Sequence, residues 1–386
     1  MNNLEEKYFW MLFDTCNKPL YYQDIHNILS LPYDFIVRYN YSSINLSRNA
    51  IKRADSYPNI LKDVLLVYGQ NESFKKGDDK DKYDSSQKIN WIFTRFAKIA
   101  HIYKNGSDYY FDLILKEYPN TNDIIPKEKI IGELSGKKQT PYNLWVAISY
   151  LYDDFKCLLK NGNKYNNWSS IVDCFHNNTQ FKNDSFWQIR GPFNLKNYEL
   201  ITPRHEDICI KEENKKRVIS KISYFFVNNF QKFCFEIVNR EPRNNEVNKN
   251  LINLSKRKLR KILIKDESNK ITTQQSSIPL RSYFSNNIRF SVNPSRIIAQ
   301  QESIISFKTV PQQTKWPIGP NIKIVFRIGW PWYQLIFGTF FLVLGPLLSF
   351  NANNIANGNS LISNIFFIGG TLSLFLGAYI LFKKLN

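Results

Sequence analysis

Three kinds of hydrophobic pattern run along this chain. The longest lies at the C-terminal end, where residues 330–350 (WPWYQLIFGTFFLVLGPLLSF) and 361–382 (LISNIFFIGGTLSLFLGAYILF) form two uncharged apolar runs. About 20 apolar residues rising 1.5 Å each cross a hydrocarbon core, so each run predicts a transmembrane helix and together they predict a hairpin. The plainer alternative is a pair of buried core helices, but uncharged runs of this length side by side favour lipid. Trp330, Trp332 and Tyr333 cluster at one edge, where amphipathic rings favour the headgroup layer. Pro346 is expected to kink the first span. Gly369, Ser373 and Gly377 recur every four residues in the second, a small-residue stripe expected to pack helix against helix in the membrane, within the hairpin or between chains.

The second pattern alternates. Residues 34–41 (DFIVRYNY), 63–68 (DVLLVY), 91–100 and 108–115 read as strands, the last two joined through the turn-forming Lys104-Asn105-Gly106-Ser107. Between the second and third lies a polar loop, 69–88. Its Asp78, Asp79 and Asp81 lack the downstream Gly and Glu of a calcium loop and read as solvated surface. Near the membrane, Ile322, Ile324, Phe326 and Ile328 alternate with Lys323, Val325 and Arg327. Runs 288–292 and 303–309 are expected to pair with that strand as an antiparallel sheet feeding the first span.

The third pattern steps by three and four. Leu144, Ile148, Leu151, Phe155, Leu158 and Leu159 predict a helix over 141–160, capped by Thr140, opened by Pro141 and stopped by Asn161-Gly162. Asp153 and Asp154 face away from its apolar side as solvated carboxylates. Ile219, Ile222, Phe226, Phe230, Phe233 and Ile237 predict a second helix, and Val247, Leu251, Leu254, Leu259 and Ile262 a third over 246–265. With Arg240–Asn245 (REPRNN) as the turn, these two form an expected helical hairpin.

The expected fold is therefore α+β: a region of mixed antiparallel strands and amphipathic helices, then the membrane hairpin. Its predicted divisions are a strand-rich part (1–135), a mainly helical part (136–279), strands leading to the membrane (280–329) and the hairpin (330–386).

Charge sets the expected orientation. Lys323 and Arg327 precede the first span, Lys383 and Lys384 follow the second, and the loop 351–360 (NANNIANGNS) is uncharged. The positive-inside rule places both termini in the cytoplasm and the loop outside. The start MNNLEEKYFWMLF lacks a basic region followed by an apolar one, so no signal peptide is expected. The formal net charge is +19, and all but two of those charges belong to the region before the spans. An anionic inner leaflet is the simplest partner for such a charge, and nucleic acid is the other polyanion that would profit. The densest basic run is Lys256, Arg257, Lys258, Arg260, Lys261 and Lys265, read as an anionic-surface-binding helix face against the plainer alternative of a solvated face.

Candidate chemistry is sparse. The five cysteines (Cys16, Cys157, Cys174, Cys209, Cys234) show no C-x-x-C spacing and read as free thiols, with no metal site and no cofactor expected. No ionisable residue lies within either span, which disfavours a proton relay. Walker A, H-E-x-x-H and G-x-S-x-G motifs do not occur. One titratable cluster stands out: Arg204-His205-Glu206-Asp207 with Cys209, expected in a loop. The terminal Lys383-Lys384-Leu385-Asn386 also resembles a dilysine retrieval signal, although the positive-inside rule accounts for the same lysines.

These features predict a membrane-anchored cytoplasmic sensor or interaction protein with an unidentified protein or ligand partner. Its sharper form is a defence-type effector whose hairpins form a homo-oligomer and perturb the membrane on activation. Two other classes stand beside it: a membrane-tethered enzyme using the neighbourhood of His205 and Asp207, and a basic adaptor holding nucleic acid at the membrane.

Overall fold

The computed structural model describes residues 7–14, 19–56, 62–71, 89–136, 146–177, 181, 184–212, 215–240, 261–280, 285–293, 300–310, 321–329, 332–355 and 360–382. The chain begins with β1 (Phe9–Asp14), α1 (Pro19–Ser30), β2 (Ile36–Ser42), α2 (Arg48–Ser56), β3 (Asp63–Asn71), β4 (Ile89–Asn105), β5 (Asp108–Leu115), α3 (Ile124–Gly136) and β6 (Val146–Ser149). These strands form one sheet in the order β2-β5-β4-β3-β1-β6. β1 and β3 run parallel and every other neighbour is antiparallel. β1 is apolar at successive positions because both of its faces are covered. Phe9, Met11 and Phe13 pack into one cluster with Ile130 of α3, while Trp10 and Leu12 join another with Ala50 and Ala54 of α2. The β4–β5 hairpin closes where expected: Asn105 pairs with Asp108, and Gly106 takes the positive φ (59°) that the tight turn demands.

The helix expected over 141–160 is shorter than its periodicity implied. Residues 137–145, with Thr140, Pro141 and Leu144, lie outside the described residues. Val146–Ser149 is a strand that pairs antiparallel with β1 and is buried at all four positions. The β1 edge needs hydrogen-bond partners, and four buried residues supply them without a polar face. Helix resumes at α4 (Tyr152–Lys160), which buries Phe155 and Leu158 and ends at Asn161 and Gly162. α5 (Trp168–His176) follows.

Ten further strands come next: β7 (Phe186–Asn194), β8 (Arg204–Glu212), β9 (Lys215–Asn228), β10 (Lys232–Arg240), β11 (Lys261–Asp266), β12 (Ile271–Thr273), β13 (Ser277–Pro279), β14 (Ser285–Val292), β15 (Gln301–Val310) and β16 (Asn321–Gly329). They form two sheets, β12-β14-β10-β7 and β13-β11-β15-β16-β9-β8. The sheets meet over phenylalanines: Phe233 and Phe326 lie 5.0 Å apart between ring centroids, and Phe235 and Phe307 5.7 Å. Offset and edge-on pairs of this kind add to the burial of their area.

Here the expected helices are corrected. The segment from Ile219 to Ile237 is β9 and β10, joined by a turn at Asn229–Phe230 in which Phe230 has a positive φ of 64°. Phe225, Val227, Phe233, Phe235 and Ile237 are buried at alternate positions, so the period is two. Lys261–Asp266 is likewise a strand, with Ile262 and Ile264 buried between exposed Lys261, Leu263 and Lys265. Residues 241–260 lie outside the described residues, so the expected helical hairpin is replaced on its described sides by strands. Residues 136–279 carry α4 and α5 among the described residues and are otherwise mostly strands. Of the strands expected beside β16, β15 pairs with it antiparallel, but β14 pairs with β10 and β12 in the facing sheet. β16 also runs parallel to β9.

Buried polar groups tie the first layer to the sandwich. Arg95 of β4 donates to Ile28 O, Leu31 O, Pro32 O and Lys116 O, and Tyr118 and Trp168 both donate to Leu29 O. The end of α1, where helical carbonyls lack partners, is satisfied this way. Ser30 Oγ then donates to Trp187 O, and Trp187 Nε1 to Thr309 Oγ1, carrying the connection into both sheets.

The chain ends in α6 (Trp332–Phe350), α7 (Ala352–Ile355) and α8 (Ser360–Phe382). α8 is long and apolar enough to cross a membrane over Ser360–Tyr379, and α6 carries a shorter apolar stretch, Gly338–Phe350. Part of the loop expected at 351–360 is thus helical.

Candidate functional site

The feature that sets this chain apart is the α6–α8 pair. The helices run antiparallel, and Gly345, Gly370 and Gly377 lie in their contact. A Cβ on Gly370 would meet Gly345 O at 2.6 Å and Ser349 N at 2.7 Å, and one on Gly377 would meet Leu342 N at 2.7 Å and Gly338 O at 2.8 Å. Only residues without side chains let backbones approach so closely. Of the stripe singled out in the sequence, Gly377 faces α6, Ser373 is half-buried, and a Cβ on Gly369 would meet no atom of α6 within 4 Å. Gly370, one residue on, lies in the contact with α6. Away from this seam the pair is apolar and exposed: Phe340, Val343, Leu347 and Phe350 on α6, and Leu361, Ile365, Phe367, Ile368, Leu372 and Phe375 on α8. Pro346 lies inside α6.

The titratable cluster at His205 is on strand β8, not in a loop. Alternation along the strand splits it. His205 and Asp207 face the first layer, while Glu206 points outward to Arg327 and Arg204 sits 4.6 Å over the Phe226 ring. His205 Nδ1 is 3.0 Å from Ser223 Oγ, and Ile36 N donates to that same hydroxyl at 2.8 Å. Asp207 pairs with Lys221 at 2.8 Å. Beside them Asp112 accepts two hydrogen bonds from Arg38 (2.7 and 3.0 Å) and one from Lys221 N (2.7 Å), while Arg38 also donates to Ile219 O. His101 Nε2 lies 3.1 Å from Val218 O. Burial is the largest cause pushing His205 and His101 below the ordinary histidine range, so both rings are neutral near pH 7.

This seam fastens the sheet of β1–β6 to β8 and β9. Ser223 is 4% exposed, and its hydroxyl is engaged by Ile36 and His205. The other two histidines lie against Asp184. His26 is fully buried, lowered to about 3 first by desolvation and then by His176, and its Nε2 lies 3.1 Å from Asp184 Oδ2. His176 Nε2 contacts Asp184 O at 3.0 Å. Among the described residues no group of three His, Cys, Asp or Glu side chains is placed to hold a metal ion. Asp78, Asp79 and Asp81 lie outside them.

Of the basic run, Lys261 and Lys265 stand exposed on β11, and Lys256, Arg257, Lys258 and Arg260 lie outside the described residues. Register brings two lysines to the same surface that the run did not include, Lys308 of β15 and Lys323 of β16. The alternation read at Ile322–Ile328 contained half of that signal.

No protein-family model and no curated protein matches the chain. Among solved structures, a Bacteroides ovatus GH5 xyloglucanase in complex with a XXXG heptasaccharide is similar over 28% of this chain and 17% of its own, at 6% identity and a TM-score of 0.18. WR4, a C. elegans MSP family member, is similar over 28% of this chain and 92% of its own, at 10% identity and a TM-score of 0.17. Scores this low do not establish a shared fold.

Proposed function

We propose that this chain is a membrane-anchored sensor or interaction protein whose α+β region faces the cytoplasm and whose α6 and α8 cross the bilayer as a two-pass hairpin. The supporting observation is the glycine-seamed pair, apolar on its outer surface, that starts at Trp332 directly after β16 ends at Gly329. With so short a connection, a change in the sandwich is transmitted to α6 through β16, the strand that bridges β15 and β9. Triggering of the α+β region by a ligand or protein partner, followed by hairpin assembly between copies and loss of the membrane barrier, is the effector form of this proposal. The basic composition fits a region held against an anionic leaflet.

The test compares cells expressing the full chain with cells expressing a version ending at Gly329, following membrane potential and dye entry. Depolarisation by the full chain alone supports the effector form. A full chain that stays in membranes without depolarising them, with candidate triggers present, removes that form and leaves the anchor. A full chain recovered from the aqueous fraction overturns the anchor itself.

A further inference from the structure

The six-stranded sheet of the sandwich has two different faces. Ile262, Ile264, Ile305, Phe307, Ile322 and Ile324 are buried on the inner one. On the outer face, Lys265, Ser306 and Lys323 stand in one row across β11, β15 and β16, and Leu263, Lys308 and Asn321 in the next. Lys261 follows, opposite Val310. Four ammonium groups on three adjacent strands repel one another unless an anion shares the surface. Lys323 has Glu267 at 2.9 Å, and towards the α6 end Arg327 is paired with Glu206 and Glu302 lies across from it. Among the described residues Lys261, Lys265 and Lys308 have no ion pair, and they surround Leu263, an exposed aliphatic at the centre of the patch.

We propose that this outer face lies on the anionic leaflet of the bilayer that α6 and α8 cross, with the strands along the surface and Leu263 among the headgroups. The inference rests on the membrane-anchor reading above. Three observations select this occupant. First, β16 carries Lys323 and leads into α6 through residues 330–331, so the face is permanently at high effective concentration near lipid. Second, lysine stems with Leu263 and the half-exposed Ile304 and Val325 are the composition of an interfacial surface. A single-stranded nucleic acid would instead use open aromatic rings. The aromatics on this face, Tyr224 and Phe226, are covered by Arg327 at 4.1 Å and Arg204 at 4.6 Å. Third, a sheet standing on end would lift Lys323 about 20 Å from the membrane at ~3.3 Å per residue. That is roughly two Debye lengths at physiological salt, where the attraction is spent. Lying flat brings Lys261, Lys265 and Lys308 to the surface as well, each worth about fivefold in occupancy.

The experiment uses the full chain with its native cysteines replaced by alanine and Leu263→Cys carrying an environment-sensitive fluorophore. The chain is reconstituted into phosphatidylcholine vesicles with or without phosphatidylserine, and flotation is checked first. A chain that does not float with vesicles overturns the anchor reading, independently of the face. In floating samples, the inference expects a blue-shifted emission, quenched by headgroup-labelled lipid, with phosphatidylserine only. Salt should reverse it in the otherwise unmodified chain, and Lys261→Glu with Lys265→Glu and Lys308→Glu should lower it by more than tenfold in apparent occupancy. No quenching in phosphatidylserine vesicles overturns the inference. A blue shift induced by added RNA in phosphatidylcholine vesicles, without lipid quenching, also overturns it and assigns the face to nucleic acid.

Discussion

Two adjacent glycines in α8 should respond in opposite ways to the same substitution. A Cβ on Gly370 would stand 2.6 Å from Gly345 O and 2.7 Å from Ser349 N, where ordinary contact begins at 3.4 Å. Both atoms are backbone and cannot rotate away, so Gly370→Ala must push α6 and α8 apart by about 0.8 Å. A gap of that size forfeits a quarter to a half of each dispersion contact along the seam. Packing is the main attraction between helices in lipid, so the expected cost is about 1–3 kcal/mol. Gly369→Ala places its Cβ in open space and should cost nothing measurable; Ala is also the better helix former. The assay is pulsed electron–electron distance measurement between nitroxides at Phe340→Cys and Tyr379→Cys, two exposed positions at the same end of the pair. Gly370→Ala should lengthen and broaden the distribution and lower the SDS fraction at which the pair separates. Gly369→Ala should overlay the parent. If both variants behaved alike, or Gly369→Ala were the more damaging, the packing described here would be wrong.

Three further outcomes follow from buried charge. Arg95→Met leaves the carbonyls of Ile28, Leu31, Pro32 and Lys116 without their donor in an interior site, which should cost about 3–5 kcal/mol, read as a fall in urea midpoint at unchanged slope. Desolvation raises the Asp24 carboxyl to about 6. The native state therefore holds this proton more tightly than the unfolded chain, stability falls as pH rises from about 4 to 6, and the penalty is fully present at pH 7. Asp24→Asn should remove that slope and stabilise the protein at pH 7 by up to about 3 kcal/mol in urea titrations. Burial acts to raise Asp266, but hydrogen bonds from Ile271 N, Ser303 Oγ, Ser268 N and Ser268 Oγ outweigh it and hold the carboxyl below the usual range. Its contribution is present above the unfolded-state value and lost as pH falls through the folded one. The Asp266→Asn chain should show a shallower loss of stability on acidification.

Elements whose pattern has one explanation were legible. The strand at 108–115 and its hairpin partner flank a turn with glycine at the position needing positive φ; the first formed as read and the second runs longer, Ile89–Asn105. The segment from Ile219 to Ile237 misled because a chain rich in Ile and Phe offers apolar residues at every spacing. Ile222 and Phe226 lie on the half-exposed side of β9 whereas Phe233 and Ile237 are buried in β10, so the apparent helical stripe joined opposite faces of two strands. Its β-branched and aromatic composition was the better guide. At 146–149, burial on both sides hid the difference between helix and strand. The choice between Gly369 and Gly370 depends on the rotation of α8 about its axis, which two consecutive glycines leave open. The seam was out of reach for another reason. Asp112 meets Arg38 and Lys221 across 74 and 109 residues of chain, and only the fold brings them together.

The proposed crossing of a bilayer by α6 and α8, with the α+β region on the cytoplasmic side, can be read from single cysteines in an otherwise cysteine-free full chain, one at Asn354→Cys in α7 and one at Lys196→Cys in the α+β region, both exposed positions. In sealed cells a membrane-impermeant maleimide should label Asn354→Cys at once and Lys196→Cys only after permeabilisation. Labelling of both positions from outside, or extraction of the chain by alkaline carbonate, would contradict the account.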